Sequence, residues 1–215
     1  MKLRAKEPQG LLLTALDRLT WDGARVLDIG AGNVVEKNRR AGEHLLADRY
    51  AKLVARPGYL PLDVVPGPAV KLVGDAHALP VKTASLDGVL MVSVLEHLQH
   101  PHAAVDEVLR ALRPGGLFFS YAPFYHPYHA SPHDYFRFTH EGYRHLLRGF
   151  AQVEMCSGGN YVAVLNDVLS RAFGGSRAGR FLGRGLELSL RGPFHLLDAR
   201  LGPAVSVGFA ALATK

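Results

Sequence analysis

Arg25-Val26-Leu27-Asp28-Ile29-Gly30-Ala31-Gly32 is the stretch whose reading decides the fold. An apolar, β-branched run of this kind reads as a buried parallel strand, and the Asp-x-Gly-x-Gly that closes it reads as a tight turn. Glycine there permits positive φ and lets the backbone approach a ligand, while a helix opening just beyond aims its free N–H groups into the same space. The pattern predicts a nucleotide-type pocket at the strand's carboxyl end. A dinucleotide fingerprint requires Gly-x-Gly-x-x-Gly/Ala, whereas the third position here is Val35 and an acid, Asp28, stands two residues before the first glycine. NAD is therefore disfavoured.

Downstream runs end in polar residues at what an open α/β sheet uses as its ligand edge. Tyr59-Leu60-Pro61-Leu62-Asp63 ends on an acid suited to two hydrogen bonds from a ribose diol. Val70-Lys71-Leu72-Val73-Gly74-Asp75-Ala76 ends on one suited to an exocyclic adenine amine. Residues 87–97 pass from apolar strand into a polar edge, and Leu117-Phe118-Phe119-Ser120-Tyr121 follows Arg113-Pro114-Gly115-Gly116. Any one of these acids would serve equally as a helix cap or a turn former. Their repetition at strand ends points to a pocket.

These motifs, in this order, resemble the class I S-adenosylmethionine-dependent methyltransferases of the type 11 kind, over roughly residues 24–157 and the last strand. Asp28-Ile29-Gly30-Ala31-Gly32 is similar to the family's first motif, Asp63 to its ribose-binding acid and Gly74-Asp75-Ala76 to its adenine-side motif. Val94-Leu95-Glu96-His97-Leu98 and Leu112-Arg113-Pro114-Gly115-Gly116 are similar to its fourth- and fifth-strand signatures. The resemblance implies an α/β, Rossmann-like three-layer sandwich with a mostly parallel seven-stranded sheet and a reversed last strand. It also implies S-adenosyl-L-methionine as cofactor, held by Asp28, Gly30, Ala31, Gly32, Asn33, Asp63, Asp75, Ala76 and Ser93. Two departures stand beside it. The family's third glycine is Val34 here, and the walk from Gly32 to Asp63 exceeds the ~20 residues common in such units, an excess that a helix over 38–54 would absorb.

Residues 122–138 contain Pro123, Pro127 and Pro132, which forbid regular structure and predict a loop over the carboxyl edge, where the sulfonium methyl would point. This is the expected acceptor wall, with Tyr125, His126, His129, Tyr135 and Arg137 as substrate contacts. Its run from Pro132 to Thr139 resembles a segment of bacterial methyltransferases encoded among saccharide-biosynthesis enzymes. A neutral imidazole with a carboxylate partner can take the proton of an acceptor hydroxyl, which makes His133 with Asp134 the first candidate and Glu96 another. The plainer alternative is that these side chains orient the loop or bind substrate. His126, His129, His133 and Asp134 also have metal-ligand chemistry. The intervening prolines constrain convergence and methyl transfer from a sulfonium needs no metal, so none is expected.

With 215 residues, 48% hydrophobic and 20% charged, the chain suits one globular domain. Its single cysteine, Cys156, excludes an internal disulfide and fits a reducing cytoplasm. The net charge of +6 is spread among acids rather than blocked, and Ser93-Val94-Leu95-Glu96 stands where methyltransferases of base amino groups carry Asn/Asp-Pro-Pro-aromatic, so nucleic acid is not expected as a partner. Leu11-Leu12-Leu13-Thr14-Ala15-Leu16, broken at once by Asp17 and Arg18, reads as an amphipathic helix rather than a signal sequence. Residues 158–204 read as an insertion before the last strand, holding Arg171, Arg177, Arg180, Arg184 and Arg191 with Leu182, Leu186 and Leu190 on one helix face. A lid or homodimer contact is expected there, ahead of peripheral docking on a membrane. The expected function is methyl transfer to an oxygen or nitrogen of a small-molecule acceptor, a saccharide or lipid-linked intermediate included. The alternatives are a catalytically silent S-adenosylmethionine-binding or scaffold protein and, further off, a nucleotide-dependent oxidoreductase.

Overall fold

The computed structural model describes residues 8–33, 44–130, 132–159 and 206–215, together with scattered positions between 164 and 193. Its strands are β1 (Val26–Ile29), β2 (Tyr59–Asp63), β3 (Leu72–Val73), β4 (Leu86–Val92), β5 (Leu112–Pro123), β6 (Gln152–Gly158) and β7 (Gly208–Thr214). They form one seven-stranded sheet in the order β3-β2-β1-β4-β5-β7-β6. β1 to β5 pair in parallel, and β7 runs antiparallel to both β5 and β6. This is the mostly parallel sheet with a reversed last strand that the family resemblance implies.

Strand side chains alternate between faces, so each strand feeds both layers. On one face Val26, Leu90, Leu117 and Phe119 pack with Leu11, Leu16 and Leu19 of α1 (Pro8–Leu19) and Leu46 and Leu53 of α2 (His44–Val54). On the other, Leu27, Ile29, Val89, Met91 and Phe118 pack with Ala104, Val105 and Val108 of α3 (Pro101–Ala111) and Tyr143 and Leu146 of α4 (His140–Leu146). Burial on both faces is why the central strands read as unbroken apolar runs, each such side chain contributing ~1.5–3 kcal/mol. α3 opens with Pro101 in its first turn, and α4 is capped by Thr139, whose hydroxyl accepts from the Gly142 N–H at 3.1 Å.

The boundaries depart from the sequence reading at three strands. β3 is only Leu72–Val73. β5 starts at Leu112, ahead of the run read from Leu117, and takes in Arg113–Gly116, because Gly115 at φ +75° donates to the Lys215 carbonyl and Lys215 donates back to Gly116. β7 starts at Gly208, while Val205 lies outside the described residues. So do Val34, Val35, residues 38–43 and most of the expected insertion, including Arg171, Arg177, Arg180 and Arg191. Among its described positions, Phe181, Leu182, Leu186 and Leu188 are exposed. No helix among the described residues is long and apolar enough to cross a membrane.

Candidate active site

The order of the strands reverses between β1 and β4, and the carboxyl ends of these two strands open the crevice where α/β sheets bind ligands. Gly30 ends β1 at φ +74°, and a Cβ built on it would lie 2.5 Å from Cγ2 of Val94, so both its conformation and its neighbour demand glycine. Its N–H donates to the Leu62 carbonyl at 2.8 Å, and Ala31–Asn33 continue as a single 3-10 turn. Gly32 N–H then donates to Asp63 Oδ2 at 2.9 Å, while Asp63 Oδ1 accepts from Val65 N–H at 3.1 Å. The carboxylate ending β2 is thus fixed beside the glycine turn.

The other residues expected at the cofactor are more dispersed. Asp28 is buried, and its Oδ2 accepts from the phenols of Tyr59, at 2.7 Å, and Tyr50; burial first, and then the Asp28 charge, raise both phenol pKa values. Asp75 is exposed beyond β3, and its carboxyl is held low chiefly by the His77 backbone N–H at 2.9 Å; Ala76 is buried behind it. Ser93 leaves β4 at φ +54°, a conformation uncommon for a non-glycine residue, with its N–H on the Tyr121 carbonyl at 2.9 Å. The side chain of Asn33 lies outside the described residues.

On the acceptor side, the loop after β5 starts by pairing with the segment before β7: Phe124 N–H donates to Val207 O and Tyr125 N–H to Ser206 O. It returns over the 3-10 turn Leu95–His97, where the Tyr135 and Phe136 N–H groups both donate to the Glu96 carbonyl, at 2.7 and 3.2 Å. Arg137 staples the loop between these ends. Its guanidinium grips Asp134 with both arms, 2.5 Å to Oδ1 and 2.6 Å to Oδ2, and donates to the His126 and Pro127 carbonyls at 2.9 Å each. That grip, together with the His129 N–H at 2.8 Å, holds the Asp134 carboxyl far below the usual range.

Asp134 therefore spends its oxygens on Arg137 and His129, not on His133. The His133 ring lies against Tyr135 at 5.4 Å, and its carbonyl lies 2.5 Å from His97 Nδ1. Tyr135 takes a hydrogen bond from Gln99 at 2.9 Å, Tyr125 stands exposed, and the His126 ring lies 4.5 Å from that of His129. The four groups weighed as metal ligands, His126, His129, His133 and Asp134, do not converge. Among the described residues the donor atoms that gather are those of Glu96, His97 and His129, all within 4.8 Å of one another.

Glu96 is 0% exposed, and neither carboxylate oxygen finds a hydrogen-bond donor in another described residue. Its Oε1 lies 3.7 Å from Nε2 of His97 and 3.7 Å from Nε2 of His129. Burial pushes this carboxyl up to about 7, against the pull of its own backbone N–H and of the His129 and Arg137 charges. The Tyr121 phenol on β5 is likewise pushed up to about 12, by burial and then by Glu96. Sequence reasoning found Glu96 but not its meeting with His129, which depends on the return path of the loop. The available signal was that the motif at 94–98 and the histidine-rich loop leave the carboxyl ends of paired strands, β4 and β5.

Residues 27–120 match a family model described as a methyltransferase domain. A ubiquinone biosynthesis O-methyltransferase of Xylella fastidiosa is 34% identical over 107 residues, which are 47% of this chain and 43% of that protein. The chain thus matches less than half the length of its curated relatives. Among solved structures, the [4+2]-cyclase SpnF aligns with a TM-score of 0.54 at 17% identity, covering 96% of this chain and 80% of that one. A SAM-dependent methyltransferase from Archaeoglobus fulgidus aligns with a TM-score of 0.53 at 16% identity, covering 96% and 94%. The fold is shared by both, and a cyclase among them illustrates that fold alone does not fix the reaction.

Proposed function

We propose that this chain, whose residues 27–120 match a methyltransferase-domain family model and whose fold is that of a SAM-dependent methyltransferase, moves a methyl group from S-adenosylmethionine to a hydroxyl oxygen of a small molecule. The observation that carries this reading is the Asp63 carboxylate fixed at 2.9 Å from the Gly32 N–H, at the edge where the strand order reverses. A carboxylate there suits a ribose diol, and the glycine turn admits the backbone to the cofactor's amino-acid end. Asp75 and Ala76 serve the adenine side, Ser93 the floor, and Asp28 positions the first strand through Tyr50 and Tyr59.

In the transfer, the acceptor oxygen attacks the sulfonium methyl in line. The C–O bond forms as the C–S bond breaks, the electron pair returns to sulfur as S-adenosylhomocysteine, and the hydroxyl proton is lost. Most of the acceleration comes from holding the two reactants in line, which can supply ~7–11 kcal/mol. The wall of Tyr125, His126, His129 and Tyr135 does the holding, with Arg137 and Asp134 as positioning residues. His133, exposed on that wall, is the proposed proton acceptor and lacks the carboxylate partner expected beside it. Oxygen is favoured over nitrogen by the O-methyltransferase relative.

Calorimetry with S-adenosylhomocysteine, followed by transfer of labelled methyl to catechol, sugar-hydroxyl and primary-amine probes, tests the reading. Binding with transfer to a hydroxyl is expected. Binding with no transfer to any probe would favour the silent cofactor-binding alternative, and no binding would sink the proposal.

A further inference from the structure

We propose that Glu96, His97 and His129 form a binding site for one divalent transition-metal ion, on the acceptor side of the crevice. Whether the ion binds does not depend on the methyl-transfer reading; only what it would do there rests on it. The sequence alone suggests no metal for this chemistry, and the three residues come together only in the fold.

Their donor atoms lie within 4.8 Å of one another, with Glu96 Oε1 at 3.7 Å from each imidazole Nε2. Zinc holds nitrogen and oxygen ligands at ~2.0–2.2 Å, and two such ligands in a tetrahedral array stand about 3.4 Å apart. The two Glu96–histidine spacings, 3.7 Å each, lie close to that figure.

The tautomers point the same way. His97 Nδ1 lies 2.5 Å from the His133 carbonyl and His129 Nδ1 lies 3.0 Å from the Pro127 carbonyl. A carbonyl only accepts, so in both rings Nδ1 is the donor to the backbone and Nε2 is the nitrogen left beside Glu96. A proton on either Nε2 would not bridge the gap, since 3.7 Å exceeds hydrogen-bond reach. Two ring nitrogens and a carboxylate oxygen thus gather within 4.8 Å of one another. The carboxylate is 0% exposed with no donor from another described residue, and a buried charge in that state is costly unless a cation pairs with it.

The surrounding contacts are those of a supported ligand set. Ring N–H groups on backbone carbonyls fix the orientation of metal-binding histidines. His129 is held further by its N–H on Asp134, itself locked by Arg137, and the Glu96 turn is clamped by the Tyr135 and Phe136 N–H groups. Two imidazoles and one carboxylate suit zinc, iron, cobalt or nickel rather than magnesium or calcium, which prefer oxygen. Three protein ligands leave a coordination position open, and an acceptor oxygen bound there would be polarised for attack on the methyl.

The test is calorimetric titration of zinc chloride into the chelator-stripped full chain, with cobalt absorption as a second readout. One ion per chain is expected, with affinity falling at least tenfold in both Glu96→Gln and His129→Gln. The His102→Ala/His145→Ala double variant, which removes another paired set of imidazoles outside the site, should bind zinc unchanged. Unaltered affinity for S-adenosylhomocysteine in each variant certifies the fold. Absence of stoichiometric uptake, or uptake indifferent to both Glu96→Gln and His129→Gln, would overturn the site. Zinc uptake without methyl transfer would leave the site standing and remove the methyltransferase reading; transfer by stripped protein that takes up no zinc would do the reverse.

Discussion

At the residue scale, the cofactor half of the site turns on Asp63. Its two oxygens hold Gly32 and Val65 N–H groups at 2.9 and 3.1 Å, so the same carboxylate shapes the glycine turn and faces the expected diol. Asp63→Ala removes charge-assisted hydrogen bonds of ~1.5–3 kcal/mol each, and affinity for S-adenosylhomocysteine should fall more than tenfold by calorimetry. Unchanged affinity would show that the diol is read elsewhere. The place of Asp63 at the end of β2 was legible in the sequence because a strand-end acid is a local signal. The partner of Asp134 was not: adjacency suggested His133, but the loop turns the carboxylate into the Arg137 fork three residues on. Neighbours in a sequence need not face each other in a loop, and side-chain direction there is set by the carbonyls that Arg137 gathers from His126 and Pro127.

At the scale of elements, short signals were readable and long-range pairings were not. Thr139 followed by Glu141 predicts a helix start, and α4 starts there with the cap bond made. Thr139→Ala should lower unfolding free energy by ~1 kcal/mol in denaturant titration and should leave the cofactor half alone. The length of β5 depends on Lys215 at the far end of the sequence, which no local pattern announces. Gly58 is a sharper case. A Cβ there would sit 2.0 Å from the Ala24 carbonyl oxygen, a backbone atom that cannot swing aside, at the point where Val26 N–H meets Gly58 O as β1 and β2 begin to pair. Gly58→Ala should therefore exceed the usual ~1–3 kcal/mol of overpacking, measured as a drop in the midpoint of thermal or urea unfolding. A variant as stable as the parent would mean that the two strands separate here more easily than their register implies.

Across the whole molecule, the two halves of the proposed site are built on different parts of the sheet. The cofactor half hangs on the turn between β1 and the end of β2, and the acceptor half on the loop after β5 folded over the Glu96 turn. The parallel order that brings them together was legible, since four strand-end motifs in sequence imply one carboxyl edge. The convergence of Glu96, His97 and His129 was not, because it needs the loop's return through Tyr135 and Arg137. This division makes the halves separable by mutation. Arg137→Ala removes the staple on His126, Pro127 and Asp134 and leaves the Asp134 side chain, 1% exposed, with the His129 N–H as its remaining hydrogen-bond donor among the contacts described. The loop must then relax, and a displacement near 1 Å at a reacting centre can cost ~10²-fold in rate. Expected are a tenfold or greater loss in kcat/KM for the acceptor and an affinity for S-adenosylhomocysteine within twofold of the parent. A loss of both together would mean that the halves are coupled through the sheet edge, and a loss of neither would mean that the acceptor is held elsewhere than on this loop.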